Sequence, residues 1–309
     1  LFDIASKSTS QLTSDGEKNK IINGITDWVY EEEFAFVKAY EWNSDGSKIA
    51  FHGFHKGYFH IWTINADGSN LKQITSGKYD DREPTWDPEG EEILFTSDRD
   101  GNYDIWQINL ETGREIKLTD HPDDEGYPIK NADGSKLLYT REIKGTYSQV
   151  RMIDLEDDEK TDIAIIKSTT AKFYHPAWAR DGVGFSYLKH VGNDVNLYYV
   201  TDVYSLEAQK DAYLIDDGDV FPFKSSWSED GIYYTADGQI KFRSVKQQKR
   251  RNSISVSLGD IEPVLFNATI TANPPVYADK HRDFDSTAGN IVRGIGSMDV
   301  SYSDDRLLF

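Results

Sequence analysis

The sequence predicts an all-β fold, and three observations predict it. One phrase recurs along the chain, strand-type alternation follows each copy, and the copies are evenly spaced. The phrase reads "WNSDGSKIAF" (42–51), "WDPEGEEILF" (86–95), "KNADGSKLLY" (130–139), "WARDGVGFSY" (178–187) and "WSEDGIYYT" (227–235), and "SYSDDRLLF" ends the chain at Phe309. Each copy reads as a short strand, a two-residue hairpin turn in which Asp-Gly supplies φ > 0, and an alternating apolar strand. Two further strand patterns follow each copy, most clearly in "YDIWQINLETGREIKLT" (103–119) and "YFHIWTINADGSNLKQIT" (58–75). One unit is therefore four strands, and helical periodicity is almost absent.

The turn acids Asp45, Glu89, Asp133, Asp181 and Asp230 follow one another at 44, 44, 48 and 49 residues. The next interval, to Asp304, is 74 residues because 259–292 is inserted. Joining the ends restores the period, with 50 residues from Asp304 through Phe309 and on to Asp45. The opening text "LFDIASKSTSQLT" reads as the outer half of a unit whose inner half is the C-terminus. This predicts a six-bladed β-propeller of four-stranded blades, with N- and C-terminal strands sharing one blade so that no sheet edge is left free. Residues 1–309 are expected to form a single domain with insertions at 14–41 and 259–292. Trp42, Trp86, Trp178 and Trp227 recur at one place in the unit and are expected to pack between adjacent sheets.

The formal charge is −19, from 34 basic and 53 acidic residues. That argues against a nucleic-acid partner, which needs a basic footprint, and against an anionic membrane surface. It is compatible with plain solubility or with a field that attracts cationic ligands such as peptide amines. The absence of cysteine excludes disulfides, Cys-ligated zinc and thiol catalysis. No stretch reaches the ~20 apolar residues of a membrane span. The start lacks Met, a basic n-region and an apolar h-region, so the text reads as a mature, trimmed or partial chain with no targeting signal in view.

The repeat resembles the TolB-type (PD40, WD40-like) propeller repeat, and "FTSDRDGNYDIW" (95–106) matches its second half very closely. The resemblance implies the fold across essentially the whole chain, and a periplasmic or secreted monomer. It does not fix function, because such propellers resemble TolB itself and also the front domains of tricorn-like and other peptidases. "NPPVYADKHRDFDSTAGNIVRGIGSMDVSYSDDRLLF" (273–309) looks like a stretch of amidohydrolase-associated propellers, and "INGITDWVYEEEFAF" (22–36) like the dipeptidyl peptidase IV family propeller. In that family the last two glutamates of the motif hold the substrate's free amino terminus, and by position they match Glu32 and Glu33. The mixture also admits a chain assembled from related blades.

Catalytic text is missing. "GIGSM" (294–298) lacks the closing Gly of a nucleophile elbow, and the seven histidines never show an H-x-H or H-E-x-x-H spacing. There is no phosphate-binding Gly loop, and no cofactor is implied. "DRDGNYD" (98–104) alternates oxygen ligands like a calcium loop but lacks the distal Glu, and the same text is the repeat's ordinary hairpin. "KQQKRR" (246–251), the one basic cluster, reads as a solvated hairpin or as a docking point for an acidic partner.

In a propeller the segments entering each innermost strand surround the channel. Here they are "YDDREPTW" (79–86), "PDDEGYPIK" (122–130), "KFYHPAWAR" (172–180) and "DGDVFPFKSSW" (217–227), each with a Pro beside polar or aromatic residues. Asp81, Arg82, Glu83, Asp124, Glu125, Tyr127, Tyr174, His175 and Phe221 are expected at the mouth, either converging on a ligand or merely facing solvent. "DWVYEEE" (27–33) lies in the longer first approach. There Glu32 and Glu33 beside Trp28 and Tyr30 suit a primary ammonium, through charge-assisted hydrogen bonds and cation–π contact. The alternative is an acidic solvated turn pinned by the two rings. The sequence thus points to a non-catalytic propeller that captures or gates a small molecule or peptide for a hydrolase or peptidase domain or partner. The second reading is a protein–protein scaffold with its partner on a propeller face.

Overall fold

The computed structural model describes residues 2–3, 8–9, 37–143, 147–204, 212–250, 253–265, 299–300 and 307–308. Leu1–Ala268 and Thr269–Phe309 are two compact units. The first opens with a two-stranded ribbon, β1 (Phe2–Asp3) against β2 (Ser8–Thr9). Five four-stranded antiparallel sheets follow, each a consecutive meander of the chain.

The first sheet is β3 (Val37–Trp42), β4 (Lys48–His55), β5 (Tyr58–Asn65) and β6 (Lys72–Gln73). The second is β7 (Asp81–Trp86), β8 (Glu92–Ser97), β9 (Asp104–Asn109) and β10 (Glu115–Lys117). The third is β11 (Asp124–Lys130), β12 (Lys136–Ile143), β13 (Tyr147–Asp154) and β14 (Asp162–Ser168). The fourth is β15 (Lys172–Trp178), β16 (Phe185–Val191), β17 (Asp194–Val200) and β18 (Tyr213–Asp216). The fifth is β19 (Ser226–Trp227), β20 (Gly231–Ala236), β21 (Gln239–Arg250) and β22 (Ser253–Pro263). In the second unit β23 (Asp299–Val300) pairs with β24 (Leu307–Leu308). Residues 259–263, which the sequence assigns to the insertion, complete β22, and residues 37–41 begin β3.

The recurrent hairpin differs from the expected two-residue turn. Trp42 pairs with Ile49 and Trp86 with Ile93, which leaves loops of four residues closed by Asn43 N–H to Lys48 O (3.0 Å) and Asp87 N–H to Glu92 O (3.0 Å). The side chains explain the longer loop. Asn43 Oδ1 accepts the Lys48 N–H at 2.9 Å and Asp45 Oδ1 the Ser47 N–H at 2.8 Å, so the loop's own amides are satisfied locally. Among the five described copies of this hairpin, the fifth alone turns on two residues, with Trp227 paired to Ile232 and Ser228 N–H bonded to Gly231 O at 2.8 Å.

Most cores are shared between sheets, because period-2 alternation sends the two faces of a sheet to different neighbours, while Ile49, Phe51, Trp62 and Ile64 cluster within the first sheet. In β8, Ile93 and Phe95 pack with Ala50 and Ile61 of the first sheet, while Leu94 packs with Leu137 and Tyr139 of the third. Leu138 and Val150 likewise join Phe173 and Phe185, and Leu197 and Tyr199 join Ile232 and Tyr234. The recurrent tryptophans stitch these interfaces. Trp86 Nε1 donates to Glu41 O and Trp178 Nε1 to Ile129 O, both at 3.1 Å, and Trp227 Nε1 to Ser186 Oγ at 2.9 Å. Trp42 is 41% exposed.

Candidate functional site

The first strand of each of the first four sheets carries the same defect. Its register slips between Lys38 and Glu41, Arg82 and Thr85, Gly126 and Ile129, and Tyr174 and Ala177. Inside each slip one residue is left-handed: Ala39 (φ 45°), Glu83 (φ 56°), Tyr127 (φ 56°) and His175 (φ 48°). Pro84, Pro128 and Pro176 follow three of them. Proline has no N–H for the ladder, so the strand bulges where it stands. A left-handed non-glycine residue is strained, and four at one repeat position mark a feature the surrounding structure holds in place.

These bulges line one cavity of about 630 Å³, together with Tyr40, Glu41, His52, Thr85, Ile129, Pro222, Phe223 and Lys224. A chain of contacts runs round its wall from sheet to sheet. The Glu83 N–H donates to His52 Nδ1 at 3.0 Å, and the Tyr127 N–H donates to Glu83 Oε2 at 2.8 Å. The Tyr127 ring lies 4.2 Å from the His175 ring, and the His175 imidazole bonds the Pro222 carbonyl. Thr96 Oγ1 also donates to Glu83 Oε2, at 3.1 Å. Burial raises the Glu83 carboxyl against these donors, and burial, then the Glu83 charge, raises the Tyr127 phenol. Burial, reinforced by the Lys224 charge, pushes His175 down to about 4. Lys224 forms an ion pair with Glu41, joining the fifth sheet's approach to the first strand of the first sheet.

Of the residues expected at the mouth, Glu83, Tyr127 and His175 line the cavity. Asp81 and Glu125 lie elsewhere, because each is drawn into a buried ion pair. Asp81, fully buried, meets Arg99 at 3.0 Å, and Glu125 accepts from Arg141 Nε at 2.8 Å. Arg82 turns away to Asp80 (2.5 Å) and to the face of Phe59 (4.5 Å). Asp124 accepts the Tyr103 N–H at 3.1 Å, and Tyr174 meets Tyr127 edge-on at 5.9 Å. Phe221 stacks on Phe223, the ring of the pair that lines the cavity. Trp28, Tyr30, Glu32 and Glu33 lie outside the described residues.

The sequence did not single out His52, Glu41 or Lys224. Glu41 and Lys224 meet across 183 positions, and no local pattern announces such a pair. The bulge was open to inference from Ala39, Glu83, Tyr127 and His175, which keep the period of the turn acids. In the "DRDGNYD" loop, Asp100 and Asp104 face the Lys117 ammonium at 3.1 and 3.0 Å, and Asn102 Nδ2 donates to His121 O at 2.8 Å. Among the described residues no group of three or more metal-ligating side chains converges. Residues 246–250 of the "KQQKRR" text lie in β21, where Gln247 Nε2 reaches back to Asp181 Oδ2 at 2.8 Å.

Four-stranded meanders sharing cores with their neighbours, their first strands bulging into one cavity, are the blades of a β-propeller. Residues 30–229, well over half the chain, match the family model described as the TolB beta propeller domain (PD40). The chain belongs to that family. Residues 1–56 match the model of the dipeptidyl peptidase IV N-terminal region. Short stretches are similar to prolyl endopeptidase FAP of Homo sapiens (48% identity over 46 residues) and dipeptidyl peptidase 4 of Sus scrofa (43% over 49 residues). These span 15–16% of this chain and 6% of each relative. The structure is similar in fold to TolB from Acinetobacter baumannii, with TM-score 0.54 and 18% identity over 74% of this chain and 54% of that one. It is also similar to a TolB from Agrobacterium tumefaciens, with TM-score 0.53 and 15% identity over 63% of this chain and 72% of that one.

Proposed function

We propose that the chain is a non-catalytic binding propeller that captures a small molecule or peptide in its cavity for a hydrolase or peptidase domain or partner. The cavity carries this reading. Its volume falls in the range of small-ligand sites, and its apolar walls of proline and aromatic rings hold a few placed polar groups. The match of residues 1–56 to a peptidase's propeller region supports the link to peptide chemistry. We place the protein in the periplasm or outside the cell as a monomer. Among the described residues no helix is long and apolar enough to cross a membrane. The ring closes as six blades, the sixth built from both ends of the chain, as the repeat spacing supports.

Ligand-observed NMR with a set of small aromatic and dipeptide fragments tests the reading. Fragments should bind the wild type and be lost in Ala39→Trp, which places a ring in the cavity. Absence of any binder, or binding untouched by Ala39→Trp, overturns it.

The second reading, a protein-interaction scaffold, rests on an aromatic group beside the cavity. Tyr40 is 75% exposed and Phe223 61% exposed, with Phe221 stacked on the latter. A Phe221→Ser variant, which leaves the cavity lining unchanged, that still binds fragments but loses a stable protein partner favours this reading.

A further inference from the structure

We propose that the cavity selects a monocation with an apolar body, its ammonium held by the carboxylate of Glu83. The proposal rests on the cavity-binding reading above and adds the class of ligand.

Five described lining residues can carry charge: Glu41, His52, Glu83, His175 and Lys224. Glu41 and Lys224 neutralise each other as an ion pair. His52 Nδ1 accepts the Glu83 N–H, so it bears no proton and the ring is neutral. His175 is packed on Tyr127 and buried, with the Lys224 ammonium nearby, and stays neutral. Glu83 remains, the one described lining acid without a charged partner, and although burial raises its carboxyl, an ammonium beside it favours the carboxylate.

Glu83 forms no ion pair among the described residues. Its neighbour in sequence, Arg82, is engaged with Asp80 and with the face of Phe59. The amide and hydroxyl of Tyr127 and the hydroxyl of Thr96 are neutral donors to it, and the amide and Thr96 bonds both fall on Oε2. A carboxylate has about four acceptor sites, so lone pairs remain for a ligand. The left-handed conformation at the bulge holds this side chain at the cavity wall, whereas the repeat-equivalent positions carry Ala39, Tyr127 and His175. An unpaired carboxylate in a partly desolvated pocket is unfavourable, and an ammonium that reaches it removes that cost. Tyr40, Tyr127 and Phe223 offer ring faces to the same cation, and the four prolines pack its apolar body. A carboxylate ligand meets repulsion, and a neutral isostere leaves Glu83 unpaired.

The test uses the full chain and three probes of matched shape: 3-phenylpropan-1-ammonium, 3-phenylpropan-1-ol and 3-phenylpropionate, titrated by calorimetry. The cation should bind at least about tenfold more tightly than the alcohol, and the carboxylate more weakly than either. In Glu83→Gln, whose amide oxygen still accepts from Tyr127 and Thr96, alcohol affinity should persist while the cation's advantage disappears. In Lys224→Met, which leaves Glu41 unpaired, cation affinity should rise. Should Glu83→Gln fail to fold, Glu83→Asp, which keeps the charge but withdraws it by one methylene, decides the matter through a reduced cation advantage.

Equal binding of the three probes overturns the proposal and leaves the cavity-binding reading standing. Binding of none overturns both. A cation preference that survives Glu83→Gln, or that is lost instead in Glu32→Gln/Glu33→Gln, overturns the assignment to Glu83. So does an undiminished cation advantage in Glu83→Asp.

Discussion

His175 and Glu83 face the same cavity, and burial displaces their protonation in opposite directions along the pH scale. In the unfolded chain His175 takes a proton near 6.5, whereas in the fold it does so only at about 4. As pH falls through that window the unfolded chain gains protons that the folded one refuses, so stability is lost, by up to about 3 kcal/mol. His175→Gln should flatten that part of the profile, as urea midpoints from about pH 7 to about pH 4.5 will read. Glu83 runs the other way. Its carboxyl is raised by burial, so its stabilising contribution is present at low pH and is lost as pH rises above the ordinary glutamate value of 4.5. Glu83→Gln should therefore match the wild type in acid and exceed it in thermal midpoint at neutral pH. A wild type that gains on the variant as pH rises would contradict the burial of an unpaired charge. Neither effect was visible in the sequence, where "REP" and "YHP" differ little from any polar loop text. The bulge that holds them against the cavity is a backbone property.

At the level of the strand and hairpin, the repeat phrase carried most of the architecture. The alternation in "EILFTS" placed Ile93 and Phe95 on one face and Leu94 on the other, and the sheets pack accordingly. The turn was misread because Asp-Gly was taken as the whole loop, whereas Asn43 and Asp45 each satisfy an amide and extend it. The glycines of this phrase are consequently not equivalent. Gly46 has φ 71° and nothing within 4 Å of a Cβ, so Gly46→Ala should cost about 1 kcal/mol. A Cβ at Gly231 would lie 2.2 Å from Arg243 O, within backbone rather than a movable side chain. Gly231→Ala should cost more than about 2 kcal/mol and disturb the β20–β21 pairing, as amide exchange of Arg243 and Ser244 will show. The charged pairs beside the first strands were equally hard to read. Asp81 and Glu125 look like mouth residues in the sequence, but Arg99, in the turn after β8, meets the first and Arg141, opposite on β12, meets the second. Replacing Arg141 by Met should destabilise by about 3–5 kcal/mol, since it strands a buried carboxylate.

For the molecule as a whole, five blades and their order followed from the spacing of one turn acid, while the cavity's polar contacts depend on residues up to 183 positions apart and left no trace in any window of the sequence. Closure offers its own measurements. Deleting residues 1–13 should lower the thermal midpoint and promote aggregation through an exposed sheet edge. Trp42→Phe should cost as much as Trp86→Phe, about 1–2 kcal/mol, because a sixth blade would give the Trp42 indole the carbonyl that Trp86 finds at Glu41. An effect within about 0.5 kcal/mol, as for an ordinary exposed side chain, would leave the ring open there. The interblade bonds of the tryptophan indoles and the bulge amides share a direction. Trp86, Trp178 and Trp227 donate backward, to Glu41, Ile129 and Ser186, and the amides of Glu83 and Tyr127 donate backward to His52 and Glu83. In each of these bonds the acceptor belongs to the earlier blade. A chain emerging from the ribosome would expose these acceptors before the donors that need them, whereas Thr85 Oγ1, donating to Pro128 O, and Arg180 Nε, donating to Trp227 O, would wait for the blade that follows. Each blade could then dock on the one before it during translation and be finished by the one after it.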